Sequence, residues 1–382
     1  MNGSPQVLKI GLIGTGFMGK THVYGFAIAD RVFDLPYRLE LVSVADVSEE
    51  LAQRAARSLG FERSTSNWLD LIDDKDLDLI SITSPNAFHK EMAIAALNAG
   101  KHVYCEKPLA PTLEDSEEMV HVAGQSEGKT QVGFNYLSNP MIVVARDLIK
   151  SGELGEIMSF RGIHAEDYMS DPESSYTWRH DPIGGGVLGD LGSHILATAE
   201  FLLGPISEVL GYCVTVIPSR KAEDGERREI IVDDISRSYL KFATGVTGSI
   251  EASWLATGRK MQHDFEVHGT LGSISYSQER LNELHFFSRK DNSGLQGFRK
   301  IEASPEHEPY GRFCVAPGHQ LGFNDLKAIE ISKFIKAIAG AEPEPFNFES
   351  GHRIQLLVKA IRQSSIENVW TRVNVVRGQP SL

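Results

Sequence analysis

The sequence predicts an α/β protein with an N-terminal Rossmann domain, a doubly wound parallel sheet, followed by an α+β domain with a large open, mainly antiparallel sheet. Two observations predict the Rossmann domain. Short apolar, β-branched runs alternate with helical segments, as in right-handed βαβ units, and a glycine-rich turn follows the first run. A third observation predicts the second domain, because strands with short links follow one another between residues 209 and 287.

Length and charge limit the classes of protein to which the chain can belong. With 382 residues it is long enough for two domains, and the change in rhythm places them at 1–134 and 135–382. The net charge of −13 argues against nucleic acid and anionic membranes as partners, since both attract basic surfaces. No apolar run reaches transmembrane length, and Met1–Gln6 lacks the features of a signal peptide.

The cysteines favour a reducing compartment. Cys105, Cys213 and Cys314 are odd in number and far apart, so they suggest neither a disulfide framework nor a metal site. We therefore expect a cytoplasmic protein.

The glycine-rich turn is the first landmark of the predicted Rossmann domain. Val7–Ile13 is predicted to form a buried parallel strand, and a G-x-G-x-x-G pattern and a helix follow it. In this pattern the first glycine permits a tight turn, the second leaves room for a pyrophosphate, and the third lets helix and strand pack closely. An ordinary glycine-rich turn is the alternative. The predicted cofactor-binding residues here are Gly14, Gly16, Phe17, Met18 and Gly19.

Asp46 follows the second predicted strand, Leu39–Ala45. A carboxylate at this position can accept hydrogen bonds from both hydroxyls of an adenosine ribose. Ser48, Glu49 and Glu50 come next, and no arginine stands beside Asp46 to receive a 2′-phosphate, so the sequence favours NAD over NADP. The alternative is that Asp46 is a helix N-cap or a turn residue.

The ends of the remaining strands supply further candidates. Strands are predicted at Leu77–Thr83, Lys101–Cys105 and Thr130–Phe134. Ligands of a parallel sheet lie beyond the carboxyl ends of its strands. The polar stretches at those ends are Ser84, Pro85 and Asn86, then Glu106 and Lys107, then Asn135 and Tyr136.

Lys107 has the most specific chemistry of these residues. A lysine at a buried strand end, before a proline, is unusual both for a solvated surface and for a core. Next to a nicotinamide cation its ammonium form is destabilised, and it can hydrogen-bond a substrate hydroxyl and stabilise developing alkoxide charge. The alternative is a loop lysine paired with Glu106.

The second domain contains a long loop with features of a binding segment. Asp167–Gly186 is rich in Asp, Ser, Pro and Gly, and it carries Tyr168, Trp178 and Arg179. Aromatic and guanidinium side chains together suit the faces and hydroxyls of sugars. The alternative is a plain surface connection.

A helix is predicted to follow this loop, within Gly184–Gly204. Asp190 and His194 lie one turn apart on it. His194 is a candidate general base, and Asp190 is a candidate for orienting a substrate hydroxyl or the imidazole. The alternative is a histidine that is only bonded to a neighbouring carboxylate. Two such ligands are fewer than the three of a usual catalytic metal site, so we expect no metal.

The β-rich remainder predicts an assembly. An open antiparallel sheet leaves a face or an edge that usually needs a partner, which favours a homodimer or homotetramer. Ser219–Glu229 is predicted to be a charged, solvated loop. Ser288–Asp325 is long and rich in Gly and Pro, and it is either an active-site cover or an arm that clasps a neighbouring subunit.

Several separated motifs together resemble the Gfo/Idh/MocA family of glucose–fructose oxidoreductase and inositol dehydrogenase relatives. The resemblance covers nearly the whole chain. One combination is a much more specific sign of this family than the glycine-rich turn: Glu106-Lys107-Pro108 together with the distant Asp190 and His194. The motifs, in order, are GTGFMG, VADVS, SPNAFH, CEKPLA, GFNY, GGGVLGDLGSH and HGTLGSISY.

The resemblance implies a nicotinamide-binding domain, an open-sheet domain, and reversible oxidation of a ring hydroxyl of a sugar or cyclitol. By similarity, Lys107, Asp190 and His194 match the family's catalytic lysine, aspartate and histidine, and His89 of SPNAFH joins the cofactor-binding set. The region around His319 and the Trp178-Arg179 loop look most like the branch that acts on inositols, levoglucosan or glucosides. The candidate substrate residues are Tyr136, Tyr168, Trp178, Arg179 and His319.

The expected mechanism combines these residues. NAD is expected to lie across the glycine-rich turn, with Asp46 on the adenosine ribose and Glu106 near the nicotinamide ribose. His194 takes the hydroxyl proton, Lys107 polarises the hydroxyl, and Asp190 fixes its orientation.

Two departures from the family pattern affect the expected substrate. Leu137 stands where the family often has arginine, and Ala197 where it often has aspartate. Both bear on the charge and hydroxyl pattern of the substrate. Two other readings stay open: a non-catalytic regulator that binds nucleotide and sugar, and an oxidoreductase that tightly retains its nucleotide, such as NADP.

Overall fold

A computed structural model of the chain describes residues 6–374. The leader that lacks signal-peptide features therefore lies almost entirely outside the described residues. Among residues 6–374, no helix combines the length and the hydropathy needed to cross a bilayer.

The described residues form alternating strands and helices in the first third and mainly strands afterwards. The strands are β1 Gln6–Ile13, β2 Tyr37–Ala45, β3 Arg63–Thr65, β4 Leu79–Ile82, β5 His102–Cys105, β6 Thr130–Val132, β7 Ile157–Ala165, β8 Ile206–Val214, β9 Ser219–Lys221, β10 Arg227–Glu229, β11 Ile235–Phe242, β12 Thr247–Ser253, β13 Gln262–Gly269, β14 Gly272–Ser277, β15 Glu283–Ser288, β16 Arg299–Glu302 and β17 Thr371–Arg372. The helices are α1 Phe17–Val32, α2 Glu49–Leu59, α3 Leu69–Asp73, α4 His89–Asn98, α5 Leu113–Gln125, α6 Pro140–Lys150, α7 Ser193–Leu203, α8 Tyr310–Phe313, α9 Phe323–Ile338 and α10 Phe348–Glu367.

The first compact unit contains the predicted parallel sheet. Its strand order is β3-β2-β1-β4-β5-β6, and every neighbouring pair is parallel. The central strands are apolar because the sheet is covered on both faces, and the side chains of β4 are all buried. The order reverses beside β1, at the point where doubly wound sheets bind their ligands. The predicted Rossmann fold is confirmed.

The first unit also contains a segment from late in the chain. It comprises Gln6–Ser138 of the described residues together with Gly322–His352. The sequence analysis placed this later segment in the second domain. The structure differs because α9 carries buried side chains that bond to β5, and because Val132 N donates to Phe346 O at 2.7 Å beside the edge strand β6.

The second compact unit contains Asn139–Leu321 and Arg353–Asn374 of the described residues. Its nine-stranded sheet has the order β16-β15-β14-β13-β7-β12-β11-β8-β17. Only the β7–β12 pair is parallel among the described pairs, so the prediction of a large, mainly antiparallel sheet is confirmed. Side chains alternate between the two faces, as in the burial pattern of β13.

Two predicted elements of the second unit differ from the structure. The single helix predicted within Gly184–Gly204 begins as a π-helical turn at Leu188–Gly192, and only Ser193–Leu203 is α-helical. The solvated loop Ser219–Glu229 is a hairpin of β9 and β10, and its Arg220 is fully buried. The segment Ser288–Asp325 contains β16 and α8, and its role as an active-site cover or as an arm stays a prediction.

Candidate functional site

Each glycine of the glycine-rich turn has a distinct steric environment. Gly14 has φ +91°, and a Cβ there would lie 2.9 Å from Ser84 N. A Cβ on Gly19 would lie 2.3 Å from Gly14 O, so only glycine permits this approach of helix and turn. A Cβ on Gly16 would meet no described atom within 4 Å. The open space at Gly16 fits a pyrophosphate against the backbone.

The start of α1 offers free backbone donors beside this space. Gly16 is its N-cap, no side chain caps it, and no acidic residue occupies its first turn within the described residues. By contrast, Ser48 caps α2 and Thr112 caps α5 with side-chain oxygens. An uncapped helix N-terminus leaves N–H groups and a partial positive charge for an anion. Phe17, predicted to bind the cofactor, is the first residue of α1 and is 72% exposed.

Asp46 is bonded to the glycine-rich turn. Its Oδ2 accepts from Thr15 N at 2.9 Å and from the Thr15 hydroxyl, and its Oδ1 accepts from Val47 N at 2.7 Å. The N-cap of α2 is Ser48 and not Asp46. Asp46 thus lies at the end of β2, against the predicted phosphate turn, and its ribose contact stays a prediction.

His89 connects the ends of two neighbouring strands. Its Nε2 lies 2.9 Å from Ser84 O, and its Nδ1 lies 3.0 Å from Pro108 O. Burial lowers the pKa of His89, which favours the neutral ring. A neutral ring carries a single N–H and can donate to only one of these two carbonyl oxygens, but both contacts place His89 between the loop that carries Ser84, Pro85 and Asn86 and the loop that carries Lys107. Direct contact with a cofactor stays a prediction.

Asn135 supplies a buried polar atom suited to a ligand. The residue is 3% exposed, and its Nδ2 has no hydrogen-bond partner within residues 6–374. A buried donor without a partner is costly, so a group brought by a ligand fits here. Next to it, the ring of Tyr136 lies 6.1 Å from that of Phe323, which in turn lies 5.6 Å from Phe17. Phe323 begins α9, so sequence reasoning had no signal that it joins this row of rings.

Glu106 lies in a buried network of charges. Its Oε1 lies 2.9 Å from His22 Nε2 and 2.9 Å from Lys327 Nζ, and its Oε2 accepts from Lys107 N at 3.2 Å. His22 Nδ1 lies 2.8 Å from Ser81 Oγ. The carboxylate predicted near a nicotinamide ribose therefore has its described bonds inside the first unit.

A second carboxylate completes the network. Lys327 Nζ lies 2.8 Å from Glu330 Oε2 and donates to Tyr104 OH at 2.9 Å, and Tyr104 OH also bonds to Glu330. Burial and the charge of Lys327 lower the pKa of His22 to about 4. Burial raises the pKa of Glu106, but Lys327 and His22 outweigh it and hold that pKa well below its usual range. His22 is thus neutral and Glu106 ionised at neutral pH.

Lys107 follows Glu106 directly at the end of β5. It is half-buried, and its peptide bond to Pro108 is cis. The backbone bond to Glu106 and the His89 bond to Pro108 O fix the chain on either side of it. Lys107 lies in the first unit, whereas Asp190 and His194 lie in the second.

Asp190 is held by two donors within the second unit. Tyr168 OH donates to its Oδ2 at 2.8 Å, and Arg179 Nε donates to the same atom at 2.9 Å. The Arg179 guanidinium also lies 4.3 Å from the centre of the Trp178 ring. The structure therefore brings together four residues that the sequence predicted separately: Tyr168, Trp178, Arg179 and Asp190.

His194 is the second residue of α7, which directly follows the π-helical turn that contains Asp190. It is 6% exposed, and its ring centre lies 5.4 Å from that of His164 and 6.5 Å from that of His263. The Thr198 hydroxyl donates to His194 O at 3.0 Å. π-Helical turns often occur at functional sites, and this one places Asp190 outside the regular helix that the sequence predicted, whereas His194 lies within α7.

His319 is placed apart from the Asp190 cluster in its described contacts. It is exposed, its Nδ1 lies 3.2 Å from Ala316 O, and its carbonyl accepts from Tyr310 OH. Its role toward a substrate stays a prediction.

The sequence analysis did not predict that Asp233 and Arg362 pack against the glycines at 184–186. Asp233 Oδ2 accepts from Leu188 N at 2.7 Å, and its Oδ1 lies 3.2 Å from Arg362 Nη2. Gly186 has φ +98°, and a Cβ there would lie 2.5 Å from Asp233 Oδ1. The triple glycine was a usable signal, but its partners are distant in sequence. Within residues 6–374 no three His, Cys, Asp or Glu side chains form a metal-binding group.

The first unit is a Rossmann sheet with an open glycine-rich turn, which is typical of dinucleotide-binding domains. Comparison with known families agrees: residues 8–134 match the model described as "Oxidoreductase family, NAD-binding Rossmann fold", and residues 142–275 match the GFO/IDH/MocA C-terminal domain. The chain belongs to this family. It is an oxidoreductase with NAD as its cofactor.

Individual relatives extend the comparison to the whole chain. Levoglucosan dehydrogenase of Pseudarthrobacter phenanthrenivorans is 38% identical over 96% of this chain and 98% of its own length. A solved structure of levoglucosan dehydrogenase with NADH and levoglucosan covers 97% of this chain and 100% of that chain, at 38% identity and a TM-score of 0.94. Glucose-6-phosphate 3-dehydrogenase of Bacillus subtilis is 30% identical over 70% of this chain and 74% of its length.

Proposed function

We propose that the protein is an NAD-dependent dehydrogenase that reversibly oxidises a ring secondary hydroxyl of a neutral sugar, glycoside or cyclitol to a ketone. The observation that carries the proposal is the restrained Asp190, with Tyr168 and Arg179 on one of its oxygens. Both donors stabilise the ionised carboxylate. We propose that this ionised carboxylate also accepts a hydrogen bond from a substrate hydroxyl.

We assign the acid–base steps to three side chains. His194 accepts the proton of the reacting hydroxyl as a general base and returns it in the reverse reaction. Lys107 donates a hydrogen bond to the same oxygen and stabilises the negative charge that develops there. Asp190 accepts from a substrate hydroxyl and so fixes the orientation of the ring. When bound, NAD supplies the acceptor for the hydride that leaves the carbon bearing the reacting hydroxyl.

The charge of the Asp190 cluster supports a neutral substrate. Arg179 is paired with Asp190, so the two charges compensate each other, and Trp178 offers an apolar face beside them. A phosphate would compete with Asp190 for this guanidinium. We therefore propose levoglucosan, other glucosides and inositols ahead of sugar phosphates as substrates. Tyr136 and His319 are further proposed substrate contacts.

The proposed cofactor contacts lie in the first unit. Gly14, Gly16 and Gly19 with the start of α1 would bind the pyrophosphate, Asp46 the adenosine ribose, and Asn135 a polar group through its unpartnered nitrogen. Phe17, Met18, Ser84, Pro85, Asn86, His89 and Glu106 remain proposed contacts or supports. Two acidic residues, Glu49 and Glu50, follow Asp46 and repel a 2′-phosphate, which supports NAD over NADP.

The test is NADH absorbance during incubation of the protein with NAD and a panel of polyols. The panel contains levoglucosan, methyl glucosides, glucose, myo-inositol, scyllo-inositol and glucose 6-phosphate, with NADP in parallel samples. We expect turnover with a neutral member and NAD. Binding of NAD and a polyol without turnover across the panel would favour a regulator, and turnover with glucose 6-phosphate alone would refute the neutral substrate.

We also propose that the chain forms a homodimer or homotetramer in the cytoplasm. One face of the nine-stranded sheet carries a groove of about 960 Å³ with exposed Tyr212 and Tyr239, and such a face usually has a partner. The three thiols are free, which suits a reducing compartment. Light scattering of the purified protein tests the assembly, and a monomer mass would contradict it.

A further inference from the structure

The hairpin of β9 and β10 contains one fully buried cation among exposed charges. Arg220 has no exposed surface, whereas its neighbours Lys221, Arg227 and Arg228 are exposed. A buried arginine is rare unless its donors are satisfied. The exposed charges of the hairpin therefore give no indication that Arg220 points into the second unit, where we look for its role.

The guanidinium of Arg220 donates to one short segment of chain. Its Nη2 donates to Met169 O at 2.6 Å, and its Nη1 donates to Asp171 O at 2.8 Å and to Ser174 O at 3.4 Å. Nη1 also donates to the Ser174 hydroxyl. All four acceptors lie within residues 169–174, which bend around the guanidinium.

These bonds join a cation to neutral acceptors. Burial lowers the pKa of Arg220, while the charges of Asp234 and Asp171 partly oppose that shift. Arginine stays charged in proteins, and three carbonyl dipoles and the Ser174 hydroxyl replace the water around Nη1 and Nη2, whereas Nε has no partner within residues 6–374. The planar, rigid fork of the guanidinium fits several fixed acceptors at once, and a lysine cannot reproduce that geometry.

The bound segment leads directly into the Asp190 cluster. Met169, whose carbonyl Arg220 holds, follows Tyr168, whose hydroxyl donates to Asp190. The hairpin makes a second tie, because Tyr176 N donates to Lys221 O at 2.8 Å. The segment between these ties is thus attached to β9 at both ends.

We propose that Arg220 is a positioning residue that orders residues 168–180, so that Tyr168 and Arg179 hold Asp190 in its substrate-binding orientation. Its effect on turnover rests on the proposed function of Asp190, whereas its effect on loop order does not. The hairpin is then the support of the substrate loop.

The experiment compares Arg220→Lys and Arg220→Met with Lys221→Gln, a matched change on the same hairpin that keeps the Lys221 carbonyl. Hydrogen–deuterium exchange of the full-length protein is measured for peptides from 168–180 and from the nine-stranded sheet. Steady-state kinetics give KM and kcat for the polyol, and fluorescence titration gives the affinity for NAD.

We expect Arg220→Lys to speed exchange within 168–180 and to leave the sheet unchanged. Loss of charged hydrogen bonds should raise KM for the polyol roughly tenfold to a hundredfold. The affinity of Arg220→Lys for NAD should stay close to that of the unchanged protein. Lys221→Gln should match the unchanged protein in exchange, KM and NAD affinity. A purely structural role would lower the active fraction, and with it kcat, without changing KM.

Two results would overturn the proposal: unaltered exchange in 168–180, or an unaltered KM together with a lower kcat. If Arg220→Met speeds exchange throughout the second unit, that variant has lost its fold, and the exchange and kinetics of Arg220→Lys then decide whether the proposal holds. Absence of turnover in the unchanged protein, together with local exchange in Arg220→Lys, would refute the proposed function and support the role of Arg220 in ordering the loop.

Discussion

Replacing Lys327 with methionine tests whether the buried charges hold the first unit together. Lys327 has no exposed surface, and its Nζ lies 2.9 Å from Glu106 Oε1 and 2.8 Å from Glu330 Oε2. Methionine keeps most of the apolar stem but leaves two buried carboxylates without their cation. Removing one partner of a buried ion pair costs about 3–5 kcal/mol. Since two carboxylates share this cation, we expect a loss of about 5 kcal/mol in the free energy of unfolding.

The assay is urea unfolding followed by circular dichroism, with hydrogen exchange of peptides from β5 and α9. The matched control is Lys336→Met on the same helix, because Lys336 is part of an exposed pair, 3.0 Å from Glu342, and such pairs contribute about 0–1 kcal/mol. Adding Glu106→Gln to Lys327→Met should restore part of the loss, since it removes one uncompensated charge. A loss no larger than that of Lys336→Met would refute the reasoning.

Two further predictions concern the first unit. The pKa of buried His22 is about 4, below its ordinary value of 6.5, so only the unfolded chain gains this proton between those values. The corresponding stability is complete above pH 6.5 and falls by about 3 kcal/mol as the pH decreases to 4. Urea unfolding at several pH values should show a shallower decrease for His22→Gln, and equal slopes would contradict the assignment. Gly16→Val should fold normally but bind NAD at least roughly tenfold more weakly, because its side chain fills the space predicted for the pyrophosphate. Gly19→Val should instead lower the melting temperature, because its Cβ meets Gly14 O. Equal melting temperatures for the two variants would contradict this interpretation.

Local patterns in the sequence were sufficient for most of the parallel sheet. The glycine-rich turn, the strand before it and the helix after it are adjacent in sequence, so spacing and composition indicate them directly. The open space at Gly16 and the close contact at Gly19 agree with the predicted roles of these glycines. The strands of the nine-stranded sheet between residues 209 and 287 were predictable for a similar reason, because their side chains alternate and short turns join them, whereas β16 and β17 were not predicted.

Contacts between distant residues were not predictable from local patterns. Lys327 is separated from Glu106 by most of the chain, and no periodicity links α9 to β5. Arg220 stands in a run of charges that resembles a solvated loop, and only the fold shows that its guanidinium is buried. The same limit applies to the π-helical turn at Leu188–Gly192, since the apolar spacing there fits an α-helix equally well.

The candidate site shows the same difference between residues that local patterns indicate and contacts that only the fold creates. The sequence indicated Tyr168, Arg179 and Asp190 individually from their chemistry, but their meeting on one carboxylate oxygen depends on the path of the loop. Glu106 was assigned to a cofactor because it stands at a strand end, whereas its described partners are His22, Lys327 and the Lys107 backbone. Position at a sheet edge therefore indicates where a ligand binds more reliably than which side chain contacts it.

The most direct test of the central claim is single-turnover oxidation by Lys107→Met, with the exposed Lys75→Met as the matched control. NAD affinity, measured by fluorescence titration, should stay within about twofold, while the rate of hydride transfer to NAD falls by roughly 10²–10⁴. Lys75→Met should equal the unchanged protein in both measurements. Lys107→Met with unaltered single-turnover rates would contradict the account, because the hydroxyl would then be activated without this ammonium group.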